Sequence, residues 1–166
     1  MIREGDGMEL LKNLKKQRAE LDKKIETLEY ADRAFEEGDQ IWFVDQFGTI
    51  ECGKWGNFAW IDGAFNQGHI FRTKKEAETE AKRRNLLTRF RLFRDECNGD
   101  WKSDWDINKE KYFLYFSVNY GIFCSGVNRY CYTFNLFGYF KNKADCERAI
   151  ELFGDEIKAL FVDCEG

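Results

Sequence analysis

From Leu11 to Phe35 the chain marks one seam at alternating steps of three and four: Leu11, Leu14, Arg18, Leu21, Ile25, Leu28, Asp32 and Phe35. A mean period of 3.5 residues keeps one side of an α-helix turned toward a partner helix, so a long coiled-coil-like helix is predicted within 1–38. Leu14, Leu21, Leu28 and Phe35 take its d positions. Arg18 and Asp32 take two of the four a positions, where charge weakens a parallel dimer but can specify register or partner. Lys24 with Glu29 is the evident attractive flanking pair. Helical from Met8 to Glu36, the element would be about 43 Å long, so it projects or lies across the rest of the fold. It either packs on its own sheet, pairs in a homodimer, or serves as a partner-binding arm. Gly38 ends it.

Beyond Gly38 the apolar spacing shortens toward the period of a strand. Ile41 to Val44 is a short apolar run, Phe47-Gly48 a turn, and Ile50 and Cys52 alternate with polar positions or Gly, which are the signals of a hairpin. Further strands are predicted over 57–61 and 69–72. Thr73-Lys74-Lys75-Glu76 then reads as a capping box that starts a helix at Lys74, running to about Cys97. Its apolar face changes side on the way: Ala77 and Ala81 lie roughly opposite Leu86, Phe90, Phe93 and Cys97. Either the helix bends near Asn85 or its second half packs on something other than the first sheet.

The same plan recurs. Residues 68–78, GHIFRTKKEAE, are answered 69 positions later by residues 137–147, FGYFKNKADCE, and the upstream pair Phe47-Gly48 by Tyr120-Gly121. Tyr112, Leu114, Phe116 and Val118 alternate with Phe113, Tyr115 and Ser117, a strand apolar on both faces. Tyr130, Tyr132 and Phe134 are expected to continue that sheet. Asn142 is the predicted cap of a last helix with core stripe Ala149, Ile150, Phe153, Ile157 and Phe161, and Gly154 is expected to break it into two. The expected class is α+β: a helix over 1–38, then two related antiparallel-sheet-plus-helix units, 39–97 and 98–166.

Composition narrows the picture. With 166 residues, 43% hydrophobic and 17% aromatic, the chain can bury a real core and is not a disordered tail. No window approaches the roughly 18 uninterrupted apolar residues of a membrane helix. The N-terminus carries no apolar signal core, so the expected location is the cytoplasm. Six cysteines without a Cys-x-x-Cys pair, and a single His, offer no zinc set and read as reduced thiols. The net charge of −4 is unevenly spread: residues 73–94 hold 8 Lys and Arg against 3 acids, a block of +5 in an acidic protein.

That block contains the sharpest candidate for a binding surface. Lys82, Arg83, Arg84, Arg89, Arg91 and Arg94 place six positive charges in thirteen residues with no acid among them. Clustered cations suit phosphates or an acidic protein face, with Phe90 and Phe93 available to stack on bases. On a helix the six spread around much of the circumference, so the competing reading is a solvated face whose Arg stems cover apolar surface. The tryptophans form a second set. Trp101 and Trp105 sit in a polar connector, Trp55 and Trp60 in an aromatic loop, and each pair either plugs a junction or forms a partner-binding hot spot. Asp104-x-Asp106-x-Asn108 resembles the start of a calcium loop, but Lys109 stands where Gly is required and Tyr115 where a bidentate Glu belongs, which excludes it. His69 has no nucleophile at a telling spacing, and there is no glycine-rich phosphate loop. No catalytic residue, metal or cofactor is therefore expected.

One resemblance adds a biological setting. Phe71-x-Thr73-x-x-Glu76-Ala77-Glu78, the basic helix, Trp105, Lys111-Tyr112, and Phe140-x-x-x-Ala144 leading to Ile150 and Gly154-Asp155-Glu156-Ile157 resemble small accessory proteins of phages and prophages of Gram-positive bacteria, over roughly residues 40 to 162. The likeness lies in core and turn positions and carries no catalytic residues. It implies a counter-defence protein in the host cytoplasm, foremost an anti-CRISPR protein that occupies a CRISPR effector nuclease or its guide complex without turnover. Two alternatives stand beside it: a sponge for a cyclic nucleotide signal held between aromatic and Arg side chains, and a nucleic-acid-binding regulator.

Overall fold

The computed structural model describes residues 4–103, 109–129 and 134–164. The chain is α+β and forms two compact units, Met1–Ala77 and Glu78–Gly166. The division between Ala77 and Glu78 falls inside a helix.

In the first unit, α1 (Glu4–Ala34) is followed by β1 (Gln40–Val44) and β2 (Ile50–Lys54), an antiparallel hairpin in register from Gln40↔Lys54 to Val44↔Ile50. Its turn is built by Asp45, whose Oδ1 accepts from the N–H groups of Phe47 (2.8 Å) and Thr49 (2.7 Å), and by Gly48 at φ +83°, a conformation open to glycine. A short β3 (Ile70–Phe71) pairs with the other edge of β1, giving the order β2-β1-β3. The segment expected as a strand over 57–61 is instead the start of α2 (Ala59–Asn66). Ile61 and Phe65, four apart, share one helical face; Ile61 is fully buried and Phe65 meets the Phe35 ring edge-on at 6.5 Å. A window ending at Ile61 is too short to reveal that period. Phe35, Ile41 and Ile61 form the core, with Trp55, Phe65 and Ile70 packed around them. Phe35, the last residue of the predicted seam, is thus taken by this unit's own core.

The helix α3 (Lys74–Asn98) starts as the sequence indicates. Glu76 N–H donates to Thr73 Oγ1 at 3.1 Å, and Glu76 Oε2 accepts from the N–H groups of Thr73 (3.1 Å) and Arg72 (3.0 Å). The box satisfies donors that no preceding turn can serve. Of the two faces predicted along this helix, the second carries Leu86 and Phe90 into the core of the second unit, while Ala77, at the end of the first unit, is fully buried.

In the second unit, β4 (Lys111–Ser117) and β5 (Ile122–Asn128) form an antiparallel hairpin in register from Lys111↔Asn128 to Ser117↔Ile122. On the free edge of β4, Phe140 bridges Tyr112 through two backbone hydrogen bonds, 2.9 and 2.7 Å. The last helix, α4 (Lys143–Phe161), packs Cys146, Ala149, Phe153, Ile157 and Leu160 against Leu86, Phe90, Leu114, Phe137 and Phe140. Phe90 is central, its ring 4.9 Å from Phe137, 5.3 Å from Phe153 and 5.9 Å from Phe140.

Three local expectations are corrected. The helix α4 runs unbroken through Gly154, which is buried; a lone glycine costs a helix about 1 kcal/mol, too little to stop one held by such a core. Asn142 holds the N-cap position but its side chain accepts no backbone N–H, its Nδ2 donating instead to Asp145 Oδ2 at 3.0 Å. Phe134 lies beyond the end of β5 with 90% of its surface exposed, while Tyr130 and Tyr132 lie outside the described residues.

Candidate functional site

The basic helix spends most of its charge within its own unit. Arg83 Nε donates to the carbonyl of Leu160 at 2.8 Å, and its guanidinium lies 5.0 Å from the centre of the Phe161 ring. That carbonyl belongs to the last turn of α4, where no helical N–H can reach it and a cation is favoured by the helix dipole. Arg84 pairs with Glu80 at 3.1 Å, one turn earlier on α3. Arg89 donates to both oxygens of Glu156 on α4, at 2.5 and 2.7 Å, and to Asn85 Oδ1 at 2.8 Å. Arg94 pairs with Asp95 at 2.7 Å and donates to the carbonyl of Phe137 at 3.2 Å. Lys82 and Arg91 are exposed. Phe90 and Phe93 face the core, so they offer no stacking surface for bases.

The tryptophans divide as well. Trp55 stacks on Phe35 at 4.9 Å and 25°, meets Phe65 edge-on at 5.7 Å, and exchanges backbone hydrogen bonds with Gly38 and Asp39. It closes the core of the first unit. Trp60 is 48% exposed and leans on Phe43, the ring centres 5.1 Å apart. Trp105 and the Asp104-x-Asp106-x-Asn108 stretch lie outside the described residues.

Trp101 is different, because it lines a cleft of about 350 Å³ in the second unit together with Arg94, Asn98, Lys102, Phe134 and Tyr139. One member of each candidate set thus meets at one place. The walls are rigidly set. Asn98 donates from Nδ2 to the carbonyl of Tyr139 at 2.9 Å and accepts at Oδ1 from Lys141 N–H at 2.9 Å, which fixes its amide and ties α3 to the strand segment before α4. Asn135 closes a turn by accepting at Oδ1 from Phe137 N–H (2.9 Å) and at its carbonyl from Gly138 N–H (3.0 Å). Gly138, at φ +72°, lies under the Arg94 guanidinium, where a Cβ would strike it. Beside the cleft, burial pushes the Cys97 thiol above its ordinary pKa, with the charges of Asp145 and Glu96 acting in the same sense.

Sequence reasoning picked out Arg94 and Trp101 but missed Asn98, Phe134, Asn135 and Tyr139 as site residues. The Asn135-x-x-Gly138 turn was the available signal, since it brings Phe134 and Tyr139 to the two ends of one tight loop. The cleft combines aromatic walls, a guanidinium and fixed amides, a composition suited to holding a partner's side chain or a flat polar ligand.

Among the described residues, no group of three or more His, Cys, Asp and Glu side chains is arranged to hold a metal ion. Cys52, Cys97, Cys124, Cys146 and Cys164 are free thiols. No described helix is long and apolar enough to cross a membrane. Comparison with protein-family models, curated proteins and solved structures gives no match.

Proposed function

We propose that this chain is a phage-encoded, stoichiometric inhibitor of a bacterial defence system, acting by contact with a CRISPR effector nuclease or its guide complex in the host cytoplasm. The observation that carries the binding mode is the cleft of the second unit, where Trp101, Tyr139, Phe134 and Arg94 surround one opening. Trp, Tyr and Arg are the residues that dominate protein interfaces when set in a well-packed pocket. The resemblance over residues 40 to 162 supplies the phage setting. Direct grip of nucleic acid by the basic helix has less support, because Arg83, Arg84, Arg89 and Arg94 already serve the unit's own carboxylates and carbonyls.

The two units are read as structural equivalents. In support, α3 begins at Lys74 and α4 at Lys143, which keeps the 69-residue offset of the sequence repeat (143 − 74 = 69). The order β2-β1-β3 is also echoed by β5, β4 and the Phe140 bridge.

A sponge for a cyclic nucleotide is the second reading, favoured by the same pairing of Trp101 and Tyr139 with Arg94 and Lys102. Titration of a purified effector complex separates the two. As an inhibitor, the protein should remove DNA cleavage linearly up to an equimolar end point. Trp101→Ala and Phe134→Ala should shift that end point or abolish it, while Lys82→Glu with Arg91→Glu leaves it in place. Full cleavage in the presence of excess folded protein would overturn the reading. A ligand absorbing near 260 nm, carried through purification and absent from Trp101→Ala, would establish the sponge in its place.

A further inference from the structure

The α1 seam is left without a core. Leu11, Leu14, Leu21 and Ile25 are 52%, 52%, 57% and 52% exposed, and along residues 8–26 every side chain is exposed. Four aliphatic side chains on one seam over four turns form an apolar strip that water covers at a cost. The polar positions beside the strip indicate what covers it.

We propose that α1 pairs antiparallel with α1 of a second copy, in the register where facing residue numbers sum to 39. Reversing one helix sets a positions against d positions. Leu14 then faces Ile25, twice by the two-fold axis. Arg18 faces Leu21 at the centre. The edges agree, since Lys15 comes beside Asp22 of the second copy, again twice, and Gln17 beside Lys24. The two Arg18, in adjacent central layers, share the Asp22 carboxylates of both copies. The overlap of residues 11–28 is about 27 Å long.

The parallel alternative fails on charge. It sets Arg18 against Arg18 inside the seam and leaves Lys15 beside Leu10. Arg18 already leans out of the seam, its Nε 3.7 Å from Asp22 Oδ2 on the same helix. In the antiparallel pair this posture lays the arginine stem over Leu21 of the second copy and keeps the guanidinium at the wet edge, between two Asp22 carboxylates. The parallel pair gains only the Lys24–Glu29 edge contact against its buried repulsion, so the seam's charges favour the antiparallel orientation. This interface is separate from the cleft of the second unit, so each stands or falls alone.

Sedimentation equilibrium of the full chain at low salt tests it. The parent should show a concentration-dependent dimer. Lys15→Glu should raise the dissociation constant about tenfold by turning two attractive edge contacts repulsive, and Lys15→Arg, which keeps the charge, should leave it within about threefold of the parent. Circular dichroism confirms that the exposed substitutions leave the helix folded. Mild oxidation of mixed Leu14→Cys and Ile25→Cys chains should give the crossed disulfide in preference to either self-linked one. A parent that remains monomeric at every concentration, a dimer indifferent to Lys15→Glu, or preferential self-linking of Leu14→Cys would each overturn the proposal. A monomer that still inhibits the effector complex would leave the cleft reading intact.

Discussion

Arg83 shows how a residue chosen for its charge does its work by geometry. Its bond to the Leu160 carbonyl and its place over Phe161 cap the end of α4, so the side chain stabilises the second unit. Arg83→Ala should cost about 1–2 kcal/mol, because it removes a charged donor and leaves a helix-end carbonyl unserved. Exposed Lys82→Ala on the same helix should stay within about 0.5 kcal/mol of the parent. Urea midpoints at unchanged slope decide the matter, and equal values for the two variants would refute the cap. Cys146 makes a second case. Burial, with a smaller effect from Glu147, pushes its thiol up to about 12, so the folded state holds it protonated. A thiol reagent at neutral pH should modify exposed Cys52 and spare Cys146 until the protein unfolds. The unfolded thiol ionises near about 8.5, so the stability linked to this group is present below that pH and is lost as pH rises toward 12. Cys146→Ala should therefore flatten the alkaline decline in stability, measured as midpoint against pH.

Among the elements, α3 and α4 begin at equivalent sequence positions with different caps. Thr73→Ala removes an acceptor that Glu76 N–H uses at 3.1 Å and should cost about 1 kcal/mol. Asn142→Ala removes only a side-chain bond to Asp145, so its midpoint should move by less than half as much. Comparable losses in chemical denaturation would mean that Asn142 caps its helix after all. The helix α2 carries a different lesson, since Trp60, Ile61 and Phe65 read as strand or helix according to how far the window extends. Packing of Ile61 and Phe65 against Ile41 and Phe35 selects the helix, a long-range effect that local propensity does not contain.

At the scale of the molecule, each unit has its own core. Phe90→Ala, which empties the centre of the second, should cost about 3–5 kcal/mol. Hydrogen exchange should then quicken through β4 and β5 while β1 keeps its protection. A uniform loss across both sheets would show that the two cores unfold as one. The sequence determined by itself the features that depend on near neighbours: the α+β class, the long first helix, the hairpin turns at Gly48 and Gly121, the capping box at Thr73, and the start of α4 at Lys143. These come from local backbone chemistry and periodicity. Only the tertiary structure decided where the units divide, which arginines are spent on carbonyls and carboxylates, and that Trp55 belongs to a core while Trp101 opens on a cleft. Arg83 meets Leu160, and Arg94 meets Phe137, across separations in sequence that no period connects. A charge on a helix has many partners in reach once the chain folds, and folding settles which of them it meets.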